Sequence, residues 1–112
     1  MRAILPTILT TCAFAALLAL NPAMAAESHK AEALTHAEAA VASGKAGDAK
    51  GVGEHAAAAK VHVDAAEKEK ANPHLEAADK SLESAIEHSK MGHADIAGKS
   101  AEEAVTHLKA AP

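Results

Sequence analysis

The chain places its eight histidines in pairs: His29 and His36, His55 and His62, His74 and His88, His93 and His107, separated by 7, 7, 14 and 14 residues. Neutral imidazole is the commonest protein ligand for metal ions, and histidine-rich tracts point first to metal. Residues seven apart return to nearly the same side of a helix, so each pair forms a column. Seven residues rise about 10.5 Å, whereas every ligand of one ion must lie about 2 Å from it. The sequence has no histidines four apart on one helix. Ligands for a shared ion must therefore come from neighbouring helices.

Antiparallel packing supplies those neighbours, because facing residues in a hairpin share a constant sum of residue numbers. His29/His62 and His36/His55 share the sum 91, and His74/His107 and His88/His93 share 181. Every histidine thus has an opposite number at its own level, and the hairpin centres fall in the Lys45-Ala46 and Lys90-Met91 segments. The large apolar residues follow the columns mainly by one, four or five positions: Leu34, Val41, Val63, Leu75, Leu82, Ile86, Val105 and Leu108. At about 100° per residue these offsets set the histidines roughly 90° from the core centre, at the seams between helices.

Imidazole with carboxylate support suits Cu(II), Ni(II) and Zn(II), and availability more than affinity often decides which is bound. Glu32 and Glu103 stand four residues before His36 and His107, either as supporting carboxylates or as plain solvated charges. Met91 is expected to pack at its turn, and a single methionine without cysteine is a poor match for Cu(I). No nucleophile–base set accompanies the histidines, so the reading is a binding protein and not an enzyme.

The elements that must position these residues begin after a leader. Met1-Arg2, the apolar run Ile8–Leu20, Pro22 and Ala23-Met24-Ala25 have the order of a signal peptide over residues 1–25. The run falls short of the about 20 apolar residues a membrane span needs. Cys12 and Phe14 leave with it, and the expected domain is 26–112. Cleavage one residue later would expose Glu27-Ser28-His29, a terminus able to wrap Cu(II) or Ni(II) in a square plane. Met24 would then occupy a position that prefers small residues, so cleavage after Ala25 is the reading adopted.

Residues 26–112 contain no Cys, Phe, Tyr, Trp or Arg, and ten lysines against fifteen acidic residues leave a formal charge of −5. That excludes disulfides and thiolate sites. It also removes the basic stripe and aromatic platforms that nucleic-acid binding uses.

Alanine, glutamate and lysine dominate, all strong helix formers. Breaks at Ser43–Gly47, Asn72-Pro73 and Ser89–Gly92 divide the chain into four helices near 28–43, 48–70, 73–89 and 93–110. Their short connections predict an all-α, up-and-down four-helix bundle. Sliding the chain by 45 residues aligns His29 with His74, Lys45 with Lys90, Gly47 with Gly92, Gly53 with Gly98 and His62 with His107. The bundle is accordingly read as two duplicated helical hairpins, residues 28–70 and 73–110. Its core should include Leu34, Val41, Val52, Val63, Leu75, Leu82, Ile86, Ile96, Val105 and Leu108, with alanine filling most other inward positions. Such a core buries little apolar area, and Gly51, Gly53 and Gly98 each weaken a helix by about 1 kcal/mol relative to alanine.

Several stretches carry a family resemblance: His36-Ala37-Glu38-Ala39-Ala40-Val41, Gly44-Lys45-Ala46-Gly47, Ser84-Ala85-Ile86-Glu87-His88 and Glu102-Glu103-Ala104-Val105-Thr106-His107-Leu108. Through them the chain resembles the small metal-binding protein family of the bacterial periplasm. The resemblance implies a four-helix bundle, periplasmic location and a role in sequestering, buffering or carrying copper and other divalent metals. Ser43, Glu69, Ser81 and Ser100 stand at column positions and leave the number of ions open. The alternative is a pH-responsive or structural helical interaction protein of the cell envelope, whose histidines would titrate near pH 6.5 without any metal.

Overall fold

The computed structural model describes residues 22–112 as four α-helices: α1 Pro22–Lys45, α2 Ala49–Glu69, α3 Pro73–Lys90 and α4 Ala94–Ala110. No strand occurs among the described residues. The apolar run Ile8–Leu20, with Cys12 and Phe14, lies outside them. No helix of the described part is long and apolar enough to cross a membrane.

The first helix begins six residues before the expected 28. Proline is well suited to the first position of a helix, where its missing N–H costs nothing. From Ala23 to Ser43 no glycine or further proline interrupts the helix formers. Pro22 therefore starts a helix here, and α1 runs through the Ala23–Ala25 segment without a break.

The turns are written in side chains and glycines. Asp48 caps α2 by accepting from the Gly51 N–H at 2.9 Å, and Asn72 caps α3 by accepting from the His74 N–H at 2.8 Å, with Pro73 next. The two hairpin turns pass through Gly47 at φ 75° and Gly92 at φ 78°. In the first, the Gly47 N–H donates to Gly44 O and the Asp48 N–H to Ser43 O. Forty-five residues on, Gly92 donates to Ser89 O and His93 to His88 O. Both are Schellman closures, in which a left-handed residue lets the chain satisfy the last helix carbonyls and reverse.

Each helix packs on its two neighbours around a square, and α2 also approaches α4 across the diagonal. The core is mostly alanine: Ala33, Ala37 and Ala40 from α1, Ala56, Ala59 and Ala66 from α2, Ala78 and Ala85 from α3, Ala97, Ala101 and Ala104 from α4. Val52, Val63, Leu82 and Leu108 are its largest fully buried side chains, and Leu34, Val41, Ile86 and Val105 pack against its edge. Ile96 departs from expectation. It is 47% exposed, because Ala97 and Gly98 take the inward positions and turn residue 96 outward. Met91 departs likewise: in the turn beyond the end of α3, it is 56% exposed.

Small residues set the close seams. A Cβ built on Gly44 would stand 2.6 Å from the Gly98 Cα, so α1 and α4 touch through bare backbone. At the corresponding place on α2 and α3, a Cβ on Gly53 would run into the Ser89 side chain. Gly53 and Gly98 therefore do more than weaken their helices; they set how near the hairpins lie.

Candidate metal centre

The four seams differ in chemistry. The α1–α4 seam holds the glycine contact and the Lys45–Glu102 and Lys109–Glu38 ion pairs. The α2–α3 seam holds an ionic knot in which Lys60 Nζ lies 2.5 Å from Asp79, 3.4 Å from Asp64 and 3.4 Å from Glu83. The hydrogen bond to Asp79 holds the Lys60 ammonium well above the usual lysine range. Burial raises the Asp79 carboxyl in spite of that partner. Burial also raises Glu67, helped by repulsion from Asp79, Asp64 and Glu76. The two remaining seams, α1–α2 and α3–α4, carry the histidines, one on each side of the bundle.

All four expected pairs meet. Ring centroids stand 5.5 Å apart in His29/His62, 6.4 Å in His36/His55, 6.0 Å in His74/His107 and 6.1 Å in His88/His93. A zinc–nitrogen bond of about 2.0–2.1 Å puts a ligating ring's centroid about 3.2 Å from the ion, so two rings sharing one ion stand about 5.2 Å apart at the tetrahedral angle and at most about 6.4 Å apart when trans. His29/His62 lies near the first value, and a tetrahedral ion would draw the other three pairs together by about 1 Å. His74 and His93 are exposed, and the other six are half-buried.

The first hairpin goes further than pairing. His29 Nδ1 and His62 Nδ1 approach to 3.2 Å, and Glu32 Oε2 lies 2.9 Å from the same His62 Nδ1. These three residues each offer a ligand atom within 4.8 Å of the others, the one such group of histidine and carboxylate ligands found among the described residues. Two imidazole nitrogens and a carboxylate oxygen form a donor set that suits zinc, copper or nickel. Glu32 thus reaches across the seam to His62, where its sequence position had suggested His36 on its own helix. The usable signal was the three-residue step from His29, which sets both side chains on one side of α1. Glu103 joins no comparable group.

His36 also lies against His62, with centroids 5.6 Å apart and ring planes 6° from parallel. The first hairpin consequently carries a continuous ladder, His29, His62, His36, His55. In the second hairpin the level between the two histidine pairs is filled by Ser81 and Ser100, both buried, with Ser100 Oγ 3.1 Å from Ser84 Oγ. Its pairs stand apart. His93 caps α4 from outside the helix and makes no side-chain cap bond. Its backbone N–H closes the turn on His88 O, so this pair is held by a local turn. Nδ1 of His88 is buried and has no hydrogen-bond partner.

A small helical bundle that lines two opposite seams with facing imidazoles defines a class of metal-binding protein. The sequence profile of the small metal-binding protein family matches residues 4–111, nearly the whole chain, and the protein belongs to that family. No curated protein sequence matches it.

Proposed function

We propose that the protein takes up divalent transition metals, copper foremost with zinc and nickel as fitting alternatives, and buffers or carries them in the periplasm. The observation that carries this reading is the cluster of His29, Glu32 and His62, whose donor atoms converge across the α1–α2 seam. Three protein donors hold an ion while leaving a position open for water or for the next ligand. The ladder onward to His36 and His55 sets a second imidazole pair beside the cluster, a next station for an ion along the same seam. The leader pattern of residues 1–25 supports export. Binding without catalysis fits the family and the residues around the histidines, which include no cysteine and no serine–base pair.

Calorimetric titration with Cu(II), Zn(II) and Ni(II) tests the reading, beside a variant with all eight histidines changed to glutamine. The parent should bind at neutral pH and the variant should not. Equal heats from both proteins refute the histidine seams as the binding site.

A further inference from the structure

The two histidine seams are not equally complete. The first offers three donors at the His29/His62 level, whereas each level of the second offers two imidazoles, with no group of three histidine or carboxylate donors there among the described residues. An ion that prefers four ligands is left with two open positions at each of those levels. Among the described residues no further histidine can be added, because the others line the opposite side of the bundle.

The face around the second seam has the symmetry to complete itself. His74/His107 and His88/His93 lie seven residues to either side of the Ser81/Ser100 level. Along the helices that is about 10.5 Å in each direction. A two-fold axis through the serine level brings the first pair of one copy onto the second pair of another, and the reverse at the other end. Such an interface is isologous, the commonest kind in homodimers. At the level of the axis the seam itself is closed by two small buried residues, Ser81 and Ser100. The more exposed ring at each level, His74 on α3 and His93 on α4, points the seam toward solvent. Ile96 and Met91, 47% and 56% exposed, flank His93 and supply apolar surface at both ends of the paired faces.

The geometry points to a metal-bridged homodimer, in which the α3–α4 faces of two copies pack antiparallel and each of two ions is held by His74 and His107 of one copy with His88 and His93 of the other. This rests on the metal-binding reading and adds a partner to it. Without metal the face is largely polar and the copies separate. With metal, loading state becomes assembly state.

Sedimentation of the purified protein with and without Zn(II) at neutral pH tests the inference, with zinc calorimetry on the same samples. Zinc should double the sedimenting mass, and a chelator should reverse it. H29Q/H62Q should still dimerise. H74Q/H107Q alone and H88Q/H93Q alone should each stay monomeric, since every site in either homodimer has lost two ligands. Their mixture should form a heterodimer with one intact four-histidine site, an outcome that also shows both variants to be folded. A monomer at saturating zinc overturns the dimer and, if zinc heats persist, leaves the metal-binding reading standing; no heat at all overturns both. Dimerisation by either double variant alone, loss of the dimer in H29Q/H62Q, or no heterodimer in the mixture each overturns the antiparallel arrangement.

Discussion

His62 is the residue whose loss should cost the first hairpin most. Its Nδ1 meets both His29 and Glu32, and its ring lies against His36. Changing it to glutamine removes the shared donor from the three-ligand cluster and cuts the ladder in the middle. A ligand that binds only the folded state stabilises it by RT ln(1 + [L]/Kd), about 2.7 kcal/mol at one hundred times Kd. Even changes to the residues behind a metal ligand cost about 10–100-fold in affinity, so loss of a ligand should cost at least that. At the same zinc concentration the metal-dependent stabilisation then falls to about 1.4 kcal/mol for a tenfold loss and about 0.4 kcal/mol for a hundredfold loss. For a domain of this size about 1 kcal/mol moves Tm by about 4–8 °C. Thermal melts with zinc set to fill the tightest site should show a Tm rise of about 10–20 °C in the parent, reduced by half or more in H62Q. Without metal the two should melt within a few degrees of each other, since His62 is only half-buried. A full metal-induced rise in H62Q would refute the assignment of the tight site to this cluster.

The glycine contact predicts an asymmetric pair of variants. In Gly44→Ala the new Cβ meets backbone at 2.6 Å, which cannot swing away, so overpacking of about 1–3 kcal/mol should outweigh the helix gain of about 1 kcal/mol. In Gly98→Ala the nearest atom is 3.1 Å away and the two effects should nearly cancel; denaturant unfolding that ranks the variants the other way round overturns the close approach of α1 and α4. Glu67 gives the pH signature. Its carboxyl is raised by burial and acidic neighbours, so the stability tied to this group is full below the ordinary carboxylate range and lost as pH rises through the raised value. Glu67→Gln should therefore melt above the parent at pH 7, with the gap closing by about pH 4; a gap that widens in acid shows the sign to be wrong.

The sequence by itself determined the helices and the meeting of the histidines. Alanine-rich composition leaves no alternative to helix, and the period of seven fixes each column on one side. The constant sums of 91 and 181 follow from antiparallel geometry alone, so all four pairs could be read before any packing was known. The His88/His93 pair needed least, being held by one turn. Helix ends were legible where a cap or glycine marked them, at Asp48, Asn72, Gly47 and Gly92. The start of α1 is not legible in the same way, because Pro22 both ends the apolar run and serves as the first residue of a helix.

Tertiary structure decided what stands beside each pair. Which residue of an alanine-rich helix points inward turns on a rotation of one position, and no bulky pattern in α4 fixes that rotation; Ile96 therefore fell outside while Ala97 and Gly98 went in. The three-residue step from His29 sets Glu32 on the same side of α1, but the lateral offset of α1 against α2 is what brings its carboxylate to 2.9 Å from His62. The same offset stacks His36 on His62 and makes one ladder in the first hairpin, while serines divide the second into separate levels. Residue spacing in the chain set which histidines meet. The packing of the helices set how many donors each meeting brings together, because coordination depends on ångström-scale offsets between helices that are fixed only when the core closes.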